Sequence, residues 1–101
     1  LQGGASPLQT LNQQYVATKL NILVASGPFG SVGLTSALRC FGLNFTPVQL
    51  SNGFTISRNT TLGEVLTQTR NAIISNRTGD MTSIATILAL LNGSDPTNRC
   101  Q

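Results

Sequence analysis

Histidine and tryptophan are missing from this 101-residue chain, and charge is scarce. Without His there is no imidazole base, which excludes Ser-His-Asp and Cys-His nucleophilic sites and removes the commonest metal ligand. Charged residues make up 9% of the chain, against about 25% in an ordinary globular domain. The acids are Glu64, Asp80 and Asp95 alone. They lie too far apart for a calcium loop, which gathers several acids within about 12 residues. A glycosidase needs only two carboxylates, yet each of these three has a simpler role. Glu64 closes a capping box, Asp80 caps a helix, and Asp95 belongs to an Asp-Pro turn. The bases Lys19, Arg39, Arg58, Arg70, Arg77 and Arg99 are spread without a cluster, and the four Phe and one Tyr do not interleave with them. That excludes the basic, aromatic stripe of a nucleic-acid binder. No apolar run reaches 18 residues, so no membrane-spanning helix and no stable membrane insertion are expected. The absences together describe a non-enzyme with no catalytic residue, no metal and no cofactor.

Polarity comes instead from uncharged groups, with 22 Ser and Thr and 16 Asn and Gln. The net charge is only +3, and a bare monomer with so little charge tends to self-associate. A coat of glycans, or burial of the surface in an assembly, would relieve that tendency. Cys40 and Cys100 are the only cysteines, and they form no C-x-x-C motif. An even pair in this arrangement predicts one disulfide made in an oxidising compartment. It would close a loop of about 60 residues and stabilise the fold by roughly 4 kcal/mol in the chain-entropy treatment. It would also tie down the C-terminal tail.

Four stretches match the acceptor pattern for N-linked glycans: Asn44-Phe45-Thr46, Asn59-Thr60-Thr61, Asn76-Arg77-Thr78 and Asn92-Gly93-Ser94. Chance alone would give about two in a chain this rich in Asn, Ser and Thr, so the excess is modest. All four are expected at helix ends or in loops, where a bulky sugar is tolerated. Asn59 and Asn76 are the foremost candidates, because each has Thr at the third position and each flanks the same predicted helix. Pro47 behind Thr46 makes Asn44 the weakest. Low charge, the paired cysteines and the acceptor sites together predict a secreted, extracellular protein.

The chain reads as a single domain, 1–101, with a flexible start at 1–6 and an irregular tail at 93–101. Its opening, Leu1-Gln2-Gly3-Gly4, suggests a processed product or an excised domain. Ser6, Pro7 and Gln9 announce a first helix, with a cap, a Pro at the first helical position and a Gln closing the capping box. Leu8, Leu11, Tyr15 and Ile22 follow one helical stripe, with Val16, Leu20 and Leu23 beside it. Ser26-Gly27-Pro28 should end that helix. "GPFGSVG", residues 27–33, lacks the Gly-Lys-Ser/Thr of a phosphate loop and reads as a connector with Phe29 in the core. A short second helix is expected over residues 31–41, with Leu34, Leu38 and Phe41 on one side and Gly42 as its stop. Residues 47–57 read as a hairpin. A three-residue turn, Ser51-Asn52-Gly53, would pair Leu50 with Phe54 and Val48 with Ile56, putting all four on one face with Gly53 left-handed. Such a hairpin is marginal alone and must pack on helices or on another subunit. Thr61 and Glu64 box the start of a helix whose face is Leu62, Val65, Leu66, Thr69 and Ile73. Asp80 should cap the last helix, with Met81, Ile84, Leu88 and Leu91 inward, Ala85 and Ile87 adjoining, and Asn92-Gly93 as its stop. The expected fold is mainly α: a small three- to four-helix bundle with one inserted β-hairpin, stapled by one disulfide.

"LNQQYVATKLNI" (11–22), "TLGEVLTQTRNAI" (61–73) and "ILALLNG" (87–93) together resemble a small helical module at the ends of large, repeat-rich secreted surface proteins. The shared order is a helix ending in Ala-x-x-Leu-Asn, a cysteine-containing middle, Leu-Gly-Glu opening a second helix, and a helix ending Leu-Asn-Asn. The likeness covers about half the chain, and Gly93 departs from it where a second Asn is usual. It implies surface location and a structural or adhesive setting. The first functional reading is therefore a glycosylated structural subunit of an extracellular filament, sheath or surface layer, whose partners are copies of itself. The alternative is a binding module holding an apolar ligand between helices. A third reading, membrane activity through residues 20–34, rests on the net positive charge.

Overall fold

The computed structural model of the chain describes residues 6–24 and 33–93. Three α-helices carry the fold: α1 (Pro7–Leu23), α2 (Leu62–Ile74) and α3 (Thr78–Asn92). Between α1 and α2 lie two short 3₁₀ turns, Gly33–Thr35 and Leu38–Phe41, and a two-stranded hairpin, β1 (Val48–Gln49) and β2 (Thr55–Ile56). α3 is the centre, with α1 against one side and α2 against another. Its Met81, Ile84, Ala85, Ile87, Leu88 and Leu91 are all buried, which matches the expected inward face.

The starts of α1 and α2 form as their sequences dictate. Ser6 Oγ accepts from Gln9 N–H at 3.2 Å, and Gln9 Oε1 accepts from Ser6 N–H at 3.0 Å. Thr61 and Glu64 repeat the exchange at 3.2 and 2.9 Å. Each box satisfies two of the amide donors that a helix start leaves open. α2 then buries Leu62, Val65, Leu66, Thr69 and Ala72, with Ile73 packed alongside.

The hairpin has the bulged register. Val48 faces Ile56 and Gln49 faces Thr55. Leu50 N–H donates to Phe54 carbonyl at 2.8 Å, and Gly53 stands at φ +92°. A side chain is strained there and glycine is not. Leu50 and Ile56 are buried, and Val48 and Phe54 pack against the same core. Asn52 Nδ2 donates to Gln68 Oε1 on α2 at 3.0 Å, so the turn is moored to a helix.

Three expectations need correction. Residues 31–41 do not form an α-helix among the described residues, so the bundle has three helices and not four. The backbone there bonds across the chain: Leu38 N–H donates to Thr60 carbonyl (2.8 Å), Arg39 N–H to Arg58 carbonyl (2.9 Å), and Leu62 N–H to Ser36 carbonyl (3.0 Å). Ala37 is extended and bridges Thr61. Amides spent on that ladder are not available for helical bonds. Leu38 and Phe41 are buried as expected, but Leu34 is exposed. Gly42 does end the second 3₁₀ turn in the left-handed conformation, at φ +78°.

Asp80, second, does not cap α3. The helix begins two residues earlier, at Thr78, with Arg77 at the cap position. The cause is the end of α2. Asn76 takes the left-handed conformation, φ +53°. Arg77 N–H then donates back to Ala72 carbonyl (3.0 Å) and Asn76 N–H to Ile73 carbonyl (3.2 Å). This pair of bonds is the Schellman closure, and it turns the chain tightly enough to start α3 at once. Asp80 is left inside the first turn, where it reaches the hairpin.

α1, third, does not bury its whole predicted stripe. Leu11 and Thr18 are fully buried, and Tyr15 and Ile22 half-buried. Val16, Leu20 and Leu23 point away from α3, as does Leu8 in part. The helix ends at Leu23, so the expected stop at residues 26–28 lies outside the described residues, as do most of "GPFGSVG" with Phe29, the start at 1–5 and the tail from 94. The disulfide falls there too: Cys40 is buried at the second 3₁₀ turn, and Cys100 is outside the described residues.

Candidate functional site

The four acceptor asparagines divide into three and one. Asn44, Asn59 and Asn76 are exposed, the first ahead of the hairpin and the other two at opposite ends of α2. Asn44 lies in the irregular stretch before β1. Asn59 precedes α2, and its Oδ1 accepts from Arg39 Nε at 3.1 Å. Its Thr61 is the capping residue of α2. Asn76 is the left-handed residue of the Schellman closure, a conformation Asn tolerates better than any other side-chain-bearing residue except Asp. Local structure therefore explains Asn76 and Thr61 completely, and the same residues leave the amides of Asn59 and Asn76 at the surface.

Asn92 is different. It is the last residue of α3 and half-buried against α1. Its Nδ2 donates to Gln14 Oε1 at 2.9 Å and to Gln14 carbonyl at 3.3 Å. Its Oδ1 accepts from Asn21 Nδ2 at 3.0 Å and lies 3.2 Å from Thr18 Oγ1, whose one proton goes chiefly to Gln14 carbonyl at 2.8 Å. Both amide hydrogens and the oxygen of Asn92 are thus engaged with α1. These bonds, partly shielded from water, hold the α1–α3 seam together with Leu11, Tyr15 and Ile22, which reach the core from α1. Sequence reasoning missed this network. The signal was present: Gln14, Thr18 and Asn21 recur at helical spacing beside Leu11, Tyr15 and Ile22.

The outer side of α1 is an apolar ridge. Val16 and Leu20 are each 55% exposed, Leu23 is 79% and Val24 67%. Its one charge is Lys19, whose ammonium sits 5.6 Å from the Tyr15 ring centre. Between α1 and α3 runs an open groove of about 360 Å³, lined by Pro7, Thr10, Gln14, Thr82, Ala85, Thr86 and Ala89. Its walls are small and uncharged. The hydroxyls of Thr82 and Thr86 donate back to the carbonyls of Thr78 and Thr82, leaving their oxygens as acceptors.

The carboxylates stand where structure uses them. Glu64 is held in its capping box, as expected. Asp80 accepts from Ser51 N–H at 3.0 Å and from Ser51 Oγ–H at 2.7 Å, and pairs with Arg77 at 3.3 Å. It bolts the hairpin turn to α3. Arg77 Nε and Nη2 are buried without a hydrogen-bond partner, so this bolt carries a desolvation cost. Asp95 lies outside the described residues. Among the described residues no three of His, Cys, Asp or Glu gather to hold a metal, and no helix is long and apolar enough to cross a membrane. The chain matches no protein-family description, no curated protein and no solved structure.

Proposed function

We propose that this chain is a secreted, N-glycosylated structural subunit that associates with copies of itself in an extracellular assembly. The observation that carries the reading is the ridge of Val16, Leu20, Leu23 and Val24 on a surface almost devoid of charge. Isolated exposed apolar residues are ordinary, but a continuous apolar line along one helix marks a contact surface. Its flanks are uncharged Asn and Gln, which cost less to desolvate than an ion, and one Lys, whose long stem lets its charge stay in water. The exposed acceptor sites Asn59 and Asn76, with Asn44 as the third, lie on other elements, so sugar there leaves the ridge bare. The Cys40–Cys100 bridge belongs to this proposal. Cys40 is buried and there is no free cysteine among the described residues.

Sedimentation of the recombinant chain tests the contact. Concentration-dependent association that disappears in Leu20→Ser/Leu23→Ser, with helicity unchanged, supports it. A monomer at every concentration contradicts it. The α1–α3 groove favours a second reading, a carrier of a small uncharged ligand, because its volume falls at the low end of the range for ligand pockets. A monomer whose melting temperature rises with such a ligand would replace the first reading by the second.

A further inference from the structure

We propose that Asn92 is a glycan-sensitive bolt: sugar on Asn92 and docking of α1 on α3 exclude each other. Asn92-Gly93-Ser94 is an acceptor pattern like the other three, so a secretory pathway would read it on the unfolded chain. In the transfer, a lipid-pyrophosphate-linked oligosaccharide gives up its first sugar. The bond from the sugar's anomeric carbon to the pyrophosphate oxygen breaks, a bond from that carbon to Nδ2 forms, and one Nδ2 proton leaves. Both Nδ2 protons of Asn92 are in use in the fold, one toward Gln14 Oε1 at 2.9 Å and one toward Gln14 carbonyl at 3.3 Å. Whichever is replaced, a carbon would stand about 1.45 Å from Nδ2, and a sugar ring would follow where α1 now lies. Rotating the side chain away breaks the bonds to Gln14 and Asn21 and the contact with Thr18.

The consequence is specific to α1. With the bolt displaced, the helix loses its polar seam and keeps one fully buried large apolar side chain, Leu11, with Tyr15 and Ile22 only partly buried. α2 and the hairpin are anchored elsewhere, through Ser51–Asp80, Asn52–Gln68 and the 36–39 to 58–62 ladder. A molecule glycosylated at Asn92 therefore keeps α2, α3 and the hairpin and releases α1. Glycans on Asn59 and Asn76 do not have this effect, because those amides are at the surface. The biological meaning of the bolt rests on the secreted reading, but the exclusion itself does not.

Total chemical synthesis of the full chain, joined at Cys40, gives the test. Three forms are compared: bare, carrying one N-acetylglucosamine on Asn76, and carrying one on Asn92. Amide hydrogen exchange is read over residues 11–22 and, as an internal control, over residues 62–74. The Asn76 form should match the bare chain in both segments. The Asn92 form should exchange at least about tenfold faster over 11–22 and within about twofold of the bare chain over 62–74. A bare Asn92→Ala chain should show an intermediate acceleration over 11–22. Equal protection of α1 in the bare and Asn92-sugar forms would overturn the exclusion, as would an Asn92→Ala chain as protected as the parent. An Asn92-sugar form that fails to fold while the Asn76-sugar form folds would overturn the confinement of the effect to α1. The secreted reading fails separately, if natural material carries no sugar at any site.

Discussion

α1 and α2 flank the same central helix, open with the same kind of capping box, and hold to α3 by opposite means. α2 buries three large aliphatic residues, Leu62, Val65 and Leu66, and its exposed face is mostly polar. α1 buries Leu11 and Thr18, packs Tyr15 and Ile22 partly against the core, adds amides to its seam, and turns Val16, Leu20 and Leu23 outward. Both helices would look amphipathic to a count of apolar residues. The difference lies in which stripe faces α3. For α2 the apolar stripe is the docking face, and the helix is part of the core. For α1 a mixed stripe docks and an apolar stripe remains, so the helix has one face for its own fold and one for something else.

The sharpest break of this contrast is a pair of truncations. Leu62→Ala should cost about 3 kcal/mol, as a fully buried leucine does. Leu20→Ala on α1 should change stability by less than about 0.5 kcal/mol. Chemical denaturation of the two variants measures both, and equal losses would mean that Leu20 is core after all. Next in size is Asn92→Ala, expected to cost about 2 kcal/mol because it strands the side-chain amides of Gln14 and Asn21 as well as removing its own. Hydrogen exchange should place that loss in α1 and not in α2. Thr61→Ala should cost about 1 kcal/mol through the cap of α2, and the extra fraying should be confined to the first turn. Smallest in folding energy is Leu20→Ser/Leu23→Ser, which should leave the monomer within about 1 kcal/mol of the parent yet shift any self-association to higher concentration. Analytical ultracentrifugation reads that shift.

Local rules carried the sequence reading furthest where the bonds are local. The boxes at Ser6–Gln9 and Thr61–Glu64 and the bulged turn at Gly53 are set by residues three or four apart, and each stands as expected. The inward face of α3 was legible for a related reason: it is apolar over a wide arc, so no choice of side was required. What was not legible depends on distant chain. Residues 36–39 meet residues 58–62 across the fold, and that ladder displaces the helix their own pattern suggests. Asp80 has the position of a cap by sequence, but Asn76 closes α2 so tightly that α3 has already begun. Asn92 matches an acceptor site by its neighbours in sequence and is a bolt by its neighbours in space. Gly63 lies between Thr61 and Glu64, in the first turn of α2. A side chain there would stand 3.0 Å from Leu34 carbonyl, a close approach visible only once the 3₁₀ turn is placed.

The most direct test of the central claim is the native, non-reduced mass of the natural material. The account predicts particles that are multiples of one subunit, with each subunit heavier than the bare 10.6 kDa chain by sugar-sized steps and two protons lighter than its reduced form. A uniform monomer at the bare mass with two free thiols would contradict it, and would leave the ridge on α1 without a partner and Asn76 as a turn residue alone.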